Sequence, residues 1–126
     1  MTNKYNAQKA VRRMPNGEMH TFDSQKEARR YDELALLLRA GKIRKLKLQP
    51  QFTLQESYIS SEGERVMAIR YTADYSYERA TEPDANGDIW WVKVVEDVKS
   101  RASKTEAYEI RRRLLQERFG VTIKEV

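Results

Sequence analysis

An aspartate and a lysine lie two positions apart near the end of an apolar segment, as Asp97 and Lys99. The segment 89–99 is rich in β-branched and aromatic residues, which predicts a β-strand. Because side chains alternate between the two faces of a strand, Asp97 and Lys99 share one face, whereas Glu96 points to the other. Acid-x-Lys triplets also arise by chance in a chain with 19 acidic residues. The neighbouring elements therefore have to support a functional interpretation of this pair.

A second carboxylate stands on the preceding predicted strand, 66–77, at Asp74. The residues two positions before and after it are small and polar, which leaves space around a carboxylate. The polar loop 78–88 joins this strand to the next one, so the two strands are expected to be neighbours. Asp74 and Asp97 are therefore expected on adjacent strands.

A third carboxylate, Glu27, lies in the first turn of a predicted helix that Ser24 can cap. At 3.6 residues per turn, Glu27 falls on one stripe with Tyr31, Leu34 and Leu38, and this stripe should face the sheet. A carboxylate directed at a core is costly unless it is paired or bound to a cation. Two interpretations follow. Glu27 completes a capping box with Ser24, which the helix pattern alone slightly favours, or it is a ligand.

The set Glu27, Asp74, Asp97 and Lys99 suits the hydrolysis of a phosphodiester. Mg²⁺ takes oxygen ligands and binds through one or two carboxylates, so Asp74 and Asp97 suffice for one ion, with Mn²⁺ as a substitute. Glu27 would bind a second ion or orient water. A bound ion lowers the pKa of its water and neutralises charge on the phosphate, while Lys99 positions or deprotonates that water. The alternative for Lys99 is a salt bridge to Asp97.

The composition excludes several other kinds of site. The chain of 126 residues has no cysteine and one histidine, which removes thiolate zinc sites, cysteine nucleophiles and multi-histidine metal sites. Any metal must therefore be held mainly by carboxylates. No apolar run is long enough to cross a bilayer, and the N-terminus lacks the apolar core of a signal peptide. We expect a protein of the cytoplasm, without a membrane partner.

The charge of the chain is segregated along the sequence. The total is +5, but residues 1–50 carry a net +7, residues 51–98 a net -6 and residues 99–126 a net +4. An acidic middle between basic flanks suits a protein that contacts phosphates with its ends and holds divalent cations with its centre. A solvated mosaic of surface charge is an equally good interpretation of the same pattern.

The elements that must position these residues can be predicted from periodicity, turn residues and capping residues. In chain order they are a hairpin of 11–14 and 18–22 with a type I′ turn at Asn16 and Gly17, a helix from Ser24 to Gly41, strands 48–55, 66–77 and 89–99, a helix 105–119 ended by Gly120, and a strand 121–126. This order predicts an α/β (mixed α+β) fold with helices packed on a mixed four-stranded sheet. We expect a single domain over 1–126, with 1–22 as an N-terminal arm and hairpin.

Short stretches spread along nearly the whole chain resemble a known family. They are Lys4-Tyr5, Phe22-Asp23-Ser24, Lys26-Glu27-Ala28, Tyr31, Ala40-Gly41-Lys42-Ile43, Leu48-Gln49-Pro50, the stretch from Tyr71 to Tyr77, Glu96-Asp97-Val98-Lys99, Thr105 and Tyr108. The chain resembles the PD-(D/E)xK nuclease superfamily, and within it a small phage-associated group of predicted endonucleases. The resemblance implies the restriction-endonuclease-like core order α-β-β-β-α-β.

The resemblance also implies roles for individual residues. Asp74 matches the first acidic position of the motif, Asp97 and Lys99 match the acid-x-Lys pair, and Glu27 matches a helix glutamate found in many members. Gln49 matches a strand glutamine that is often near such sites, where it would contact nucleic acid. Ala73 stands where the superfamily motif has proline.

Two basic residues of the helix 105–119 region follow closely after the motif strand. Lys104 and Arg111 interrupt the apolar arc of the helix, which makes them candidates for contacts with DNA phosphates.

These observations predict a Mg²⁺-dependent DNA endonuclease, encoded by a phage and acting in the host cytoplasm. Its partner would be DNA, with branched or four-way DNA among the candidates, in recombination, branch resolution or genome processing. A homodimer would supply two sites for cutting two strands. The alternative from another class is a catalytically inactive DNA-binding or assembly protein on the same fold.

Overall fold

A computed structural model describes residues 8–98 and 105–126 of the chain. The chain divides into two compact units, residues 1–44 and residues 45–126. The prediction of a single domain over 1–126 stays a prediction. Lys99 and Lys104 lie outside the described residues.

The first unit begins with the predicted hairpin. Its two antiparallel strands are β1 (Ala10–Arg13) and β2 (Met19–Phe22). The Gly17 N–H donates to the Met14 carbonyl at 2.8 Å, and Gly17 has a φ of 89° whereas Asn16 does not have a positive φ. The predicted type I′ turn is therefore wrong, because that turn needs positive φ at both central residues. A tight turn followed by a left-handed glycine forms instead.

The predicted helix is confirmed as α1 (Gln25–Arg39). The Ser24 hydroxyl accepts a hydrogen bond from the Glu27 N–H at 3.0 Å, which satisfies one of the free donors of the first turn. The buried residues of α1 are Glu27, Ala28, Tyr31 and Leu34. Leu38, expected on the same stripe, is 41% exposed because it lies in the last turn of the helix, just before the chain leaves it at Gly41.

The second unit contains most of the strands and the second helix. In chain order its elements are β3 (Ile43–Leu48), which begins at the end of the first unit, β4 (Gln51–Gln55), β5 (Tyr58–Ile59), β6 (Arg65–Val66), β7 (Ile69–Thr72), β8 (Tyr75–Ala80), β9 (Trp91–Asp97), α2 (Glu106–Phe119) and β10 (Ile123–Glu125).

A mixed four-stranded sheet forms the centre of this unit, in the order β10-β9-β8-β3. Strands β8 and β9 are antiparallel, whereas β9 and β10 are parallel. Strands β4 and β7 form a separate antiparallel pair, and β5 and β6 form a short hairpin. The predicted mixed α and β fold, with a mixed four-stranded sheet after an N-terminal hairpin, is confirmed.

Two of the predicted strands are interrupted. The strand predicted over 48–55 breaks at Gln49, which has a φ of 52°, and at Pro50, which lacks an N–H for the ladder. The strand predicted over 66–77 divides into β6, β7 and β8. The two breaks meet, because the Gln49 N–H donates to the Asp74 carbonyl at 2.9 Å and the Ala73 N–H donates to the Pro50 carbonyl at 3.1 Å. The chain thereby changes its strand partner at the break: β7 pairs with β4, whereas β8 pairs with β9.

Helix α2 covers one face of this unit. Its N-cap Thr105 accepts a hydrogen bond from the Tyr108 N–H at 3.1 Å, and it ends at Gly120 in the left-handed conformation. The buried residues of the core here are Leu54, Tyr71, Ala73, Val95, Tyr108, Leu115 and Ile123. Neither helix of the described residues has the length and apolarity needed to cross a membrane.

Two adjacent leucines of α2 test this packing. Leu115 is fully buried and Leu114 is 38% exposed. Leu115→Ala should lower the free energy of unfolding by about 2–5 kcal/mol through lost burial and the cavity left behind. Leu114→Ala, the matched control, should lower it by less than about 1 kcal/mol. Urea denaturation of both variants measures the difference, and equal losses would contradict the packing of α2.

Candidate functional site

The structure brings Asp74 and Asp97 together at the end of two adjacent strands. In the register of β8 and β9, Tyr75 lies opposite Glu96, so the next pair places Asp74 opposite Asp97. The Asp74 N–H donates to the Asp97 Oδ1 at 3.1 Å. These two carboxylates form the candidate site, called the aspartate pair below.

Asp74 is held by the break between β7 and β8. Its Oδ2 accepts a hydrogen bond from the Val98 N–H at 2.6 Å, and its carbonyl accepts the bond from Gln49. A non-glycine residue in the left-handed region, such as Gln49, is strained by about 1–2 kcal/mol. The hydrogen bond from the Gln49 N–H to the Asp74 carbonyl brings the backbone of this predicted residue next to the site.

Asp97 is fully buried, which sets strict conditions on its surroundings. A buried carboxylate is costly unless hydrogen bonds or a cation compensate for lost hydration. The Tyr71 hydroxyl donates to the Asp97 Oδ2, and the Asp74 N–H donates to the other oxygen. Both oxygens of Asp97 therefore have donors, which fix the orientation of its carboxylate relative to Asp74.

Glu96 is also fully buried but belongs to the other face of the sheet. The Tyr77 hydroxyl donates to its Oε2. Because Glu96 and Asp97 are consecutive residues of β9, their side chains point in opposite directions. Asp97 is thus the carboxylate that shares a face with Asp74, in agreement with the alternation of the sequence.

A tyrosine of α2 completes the surroundings of Asp97. Tyr108 is buried, and its ring centre lies 6.1 Å from that of Tyr71. Burial raises the pKa of the Tyr108 phenol above its ordinary value, and the negative charges of Asp97 and Glu125 raise it further. Tyr108 therefore stays neutral.

Of the remaining predicted site residues, the structure describes Glu27 and Arg111. Glu27 belongs to the first unit, where its side chain is buried in α1. Arg111 is exposed on α2. Lys99 and Lys104 lie outside the described residues.

The aspartate pair has the chemistry of a site for a hard divalent cation. Within residues 8–98 and 105–126, no three His, Cys, Asp or Glu side chains are grouped as metal ligands. Mg²⁺, however, is commonly bound by one or two carboxylates and completes its shell with water. A carboxylate offers about four acceptor sites, so the hydrogen bonds named for Asp74 and Asp97 are compatible with a cation. Their oxygen atoms are of the type that Mg²⁺ and Mn²⁺ accept as ligands.

Sequence reasoning missed the tyrosines that hold the buried acids. Tyr71 and Tyr77 come from the two sides of the break at Asp74, and each donates to a carboxylate of β9. The sequence did contain a signal for them, because these tyrosines, which carry a hydroxyl group, stand on the strand predicted to lie beside Asp97. The pairing of each tyrosine with its acid, Tyr71 with Asp97 and Tyr77 with Glu96, depends on the break between β7 and β8.

The raised pKa of Tyr108 predicts a loss of stability in alkaline solution. An unfolded chain releases the phenolic proton near the ordinary pKa of about 10, whereas the folded chain retains it. The unfolded state therefore binds fewer protons, and the free energy of unfolding falls as the pH rises above about 10. Tyr108→Phe should lose less stability over this range than the wild type. Tyr58→Phe, at an exposed tyrosine of β5, should behave like the wild type.

Urea denaturation at neutral and alkaline pH measures this effect. If Tyr108→Phe and the wild type lose the same stability, Tyr108 does not carry the raised pKa.

The chain belongs to the family described as "Protein of unknown function (DUF1064)", whose model matches residues 2–125. Neither a curated protein nor a solved structure matches the chain.

Proposed function

For this member of the DUF1064 family, we propose the function of a metal-dependent DNA endonuclease that hydrolyses phosphodiester bonds. The observation that supports the proposal is the aspartate pair, in which Asp74 and Asp97 lie opposite each other on adjacent strands. The resemblance of the sequence to PD-(D/E)xK nucleases assigns the metal-binding acids to the same two residues. The sequence pattern and the geometry thus favour the same two residues.

Asp74 and Asp97 would hold Mg²⁺, with Mn²⁺ as a substitute. When bound, the ion supplies a water of lowered pKa and positive charge next to the phosphate. Lys99 would position or deprotonate the attacking water, and Glu27 would bind a second ion or orient water. Tyr71 is a positioning residue, because its hydroxyl fixes the carboxylate of Asp97.

The substrate in this proposal is DNA, including branched or four-way DNA. Lys104 and Arg111 would contact phosphates, and Gln49 would contact nucleic acid beside Asp74. A homodimer would present two sites to two strands. The setting would be phage recombination, branch resolution or genome processing in the host cytoplasm.

One observation favours the alternative, a catalytically inactive DNA-binding or assembly protein. Asp97 is fully buried and both of its oxygens accept hydrogen bonds within the protein. This arrangement also suits a carboxylate that only stabilises the fold. The two functions differ in a simple respect, because the alternative predicts binding of DNA without cleavage in any divalent metal.

Substitution of the aspartate pair tests the proposed function. The wild type should cut linear, nicked, flapped or four-way DNA in Mg²⁺ or Mn²⁺. Asp74→Asn and Asp97→Asn should each lower the cleavage rate by at least about a hundredfold, since a catalytic metal lowers the activation barrier by several kcal/mol. Asp88→Asn, at an exposed loop position of the same unit, is the matched control and should cut like the wild type.

DNA affinity of the same variants, measured without metal, separates binding from cleavage. Retained affinity with lost cleavage supports the proposal. Binding by the wild type without cleavage of any of these substrates in either metal would contradict it and support the inactive DNA-binding protein.

A further inference from the structure

Three lysines surround a small cavity on the sheet of the second unit. The cavity has a volume of about 50 Å³, and its lining is Lys45, Lys47, Ser76, Tyr77, Glu78 and Lys93. Three lysines and one glutamate leave an excess of positive charge around it. This group is called the lysine pocket below.

The lysine pocket lies on the same face of the sheet as the aspartate pair. Glu78 is opposite Lys93 in the register of β8 and β9, and Ser76 is opposite Val95. Because alternate residues of a strand share a face, Lys93 and Asp97 point to the same side of β9. The two residues are four positions apart along β9, which corresponds to about 13 Å.

The lysines of the pocket are only partly neutralised. The Lys45 Nζ lies 3.8 Å from the Glu78 Oε1, and the Lys45 side chain remains 65% exposed. Such an exposed ion pair contributes little to stability. Lys47 and Lys93 are exposed as well. The pocket therefore presents exposed ammonium groups next to a partly buried carboxylate.

The backbone at Lys45 is an outlier within β3. Its φ is 57°, a conformation that favours glycine and is strained for a lysine. Strained residues are concentrated at functional sites, where another requirement outweighs the strain.

The geometry points to the lysine pocket as a binding site for a backbone phosphate of DNA, about 13 Å along the sheet from the aspartate pair. This inference rests on the proposed function for its substrate.

The salt dependence of DNA binding tests the site without requiring cleavage. Each phosphate contact contributes about 0.9 to the slope of log K against log salt concentration. Lys47→Gln and Lys93→Gln, measured on a DNA duplex without divalent metal, should each lower the slope by about this amount. Lys124→Gln is the matched control, because Lys124 is exposed on β10 at the opposite edge of the same sheet. It should leave the slope unchanged.

Glu78→Gln separates anion binding from a purely structural role for these charges. If the pocket binds phosphate, removal of its carboxylate should raise DNA affinity severalfold. If the charges serve only as ion pairs within the sheet, Glu78→Gln should leave affinity unchanged and lower the melting temperature, which would overturn the inference.

Lys45→Gly provides a second variant that is expected to fold. Glycine suits the positive φ, so the melting temperature should not fall, while DNA affinity should decrease. Unchanged affinity in Lys45→Gly, Lys47→Gln and Lys93→Gln would overturn the inference.

The outcomes distinguish this site from the proposed function. Cleavage by the wild type with unchanged salt slopes in the lysine variants would refute the pocket alone. Lowered slopes in a protein that does not cleave would support the pocket and refute the nuclease.

Discussion

The hydrogen bonding of one buried carboxylate, Asp97, is the interaction on which the second unit depends. A carboxylate without contact to water needs donors, and here they come from the Tyr71 hydroxyl and the Asp74 N–H. Both donors are available because the chain breaks between β7 and β8. The break lets Tyr71 remain with β4 while Asp74 joins the end of β8 opposite Asp97. Backbone hydrogen bonds of Gln49 and Pro50 hold the same break in place. The strained turn at Gln49, the change of strand partner and the aspartate pair therefore depend on one another.

Local features of the sequence predicted much of this fold. The first helix follows from its cap, Ser24, and both helices follow from the glycines after their last turns. Alternation in β9 placed Asp97 on one face and Glu96 on the other, and the loop after β8 made Asp74 and Asp97 neighbours. The breaks at Gln49 and Asp74 could not be predicted, because they depend on hydrogen bonds between residues far apart in sequence. For the same reason the partners of the buried acids, Tyr71 and Tyr77, were not identified.

The distribution of charge acquires a structural meaning in the second unit. The acidic middle of the sequence contains both members of the aspartate pair, on a sheet whose β3 edge carries Lys45 and Lys47. Lys93 comes from the acidic segment itself, yet it shares a face with Asp97 and joins the lysines of β3 around one cavity. Carboxylates at the ends of β8 and β9 and ammonium groups farther along β9 and on β3 thus occupy two separate places along neighbouring strands.

Binding of Mn²⁺ to the metal-free protein tests most directly whether the aspartate pair is a cation site. Titration of the wild type, followed by the paramagnetic resonance of free Mn²⁺ and by calorimetry, should show saturable binding. Asp74→Asn and Asp97→Asn should each abolish that binding, while circular dichroism shows that both variants remain folded. Absence of Mn²⁺ binding by the wild type, or equal binding by both folded variants, would contradict a cation site at Asp74 and Asp97 and leave these acids with a structural role.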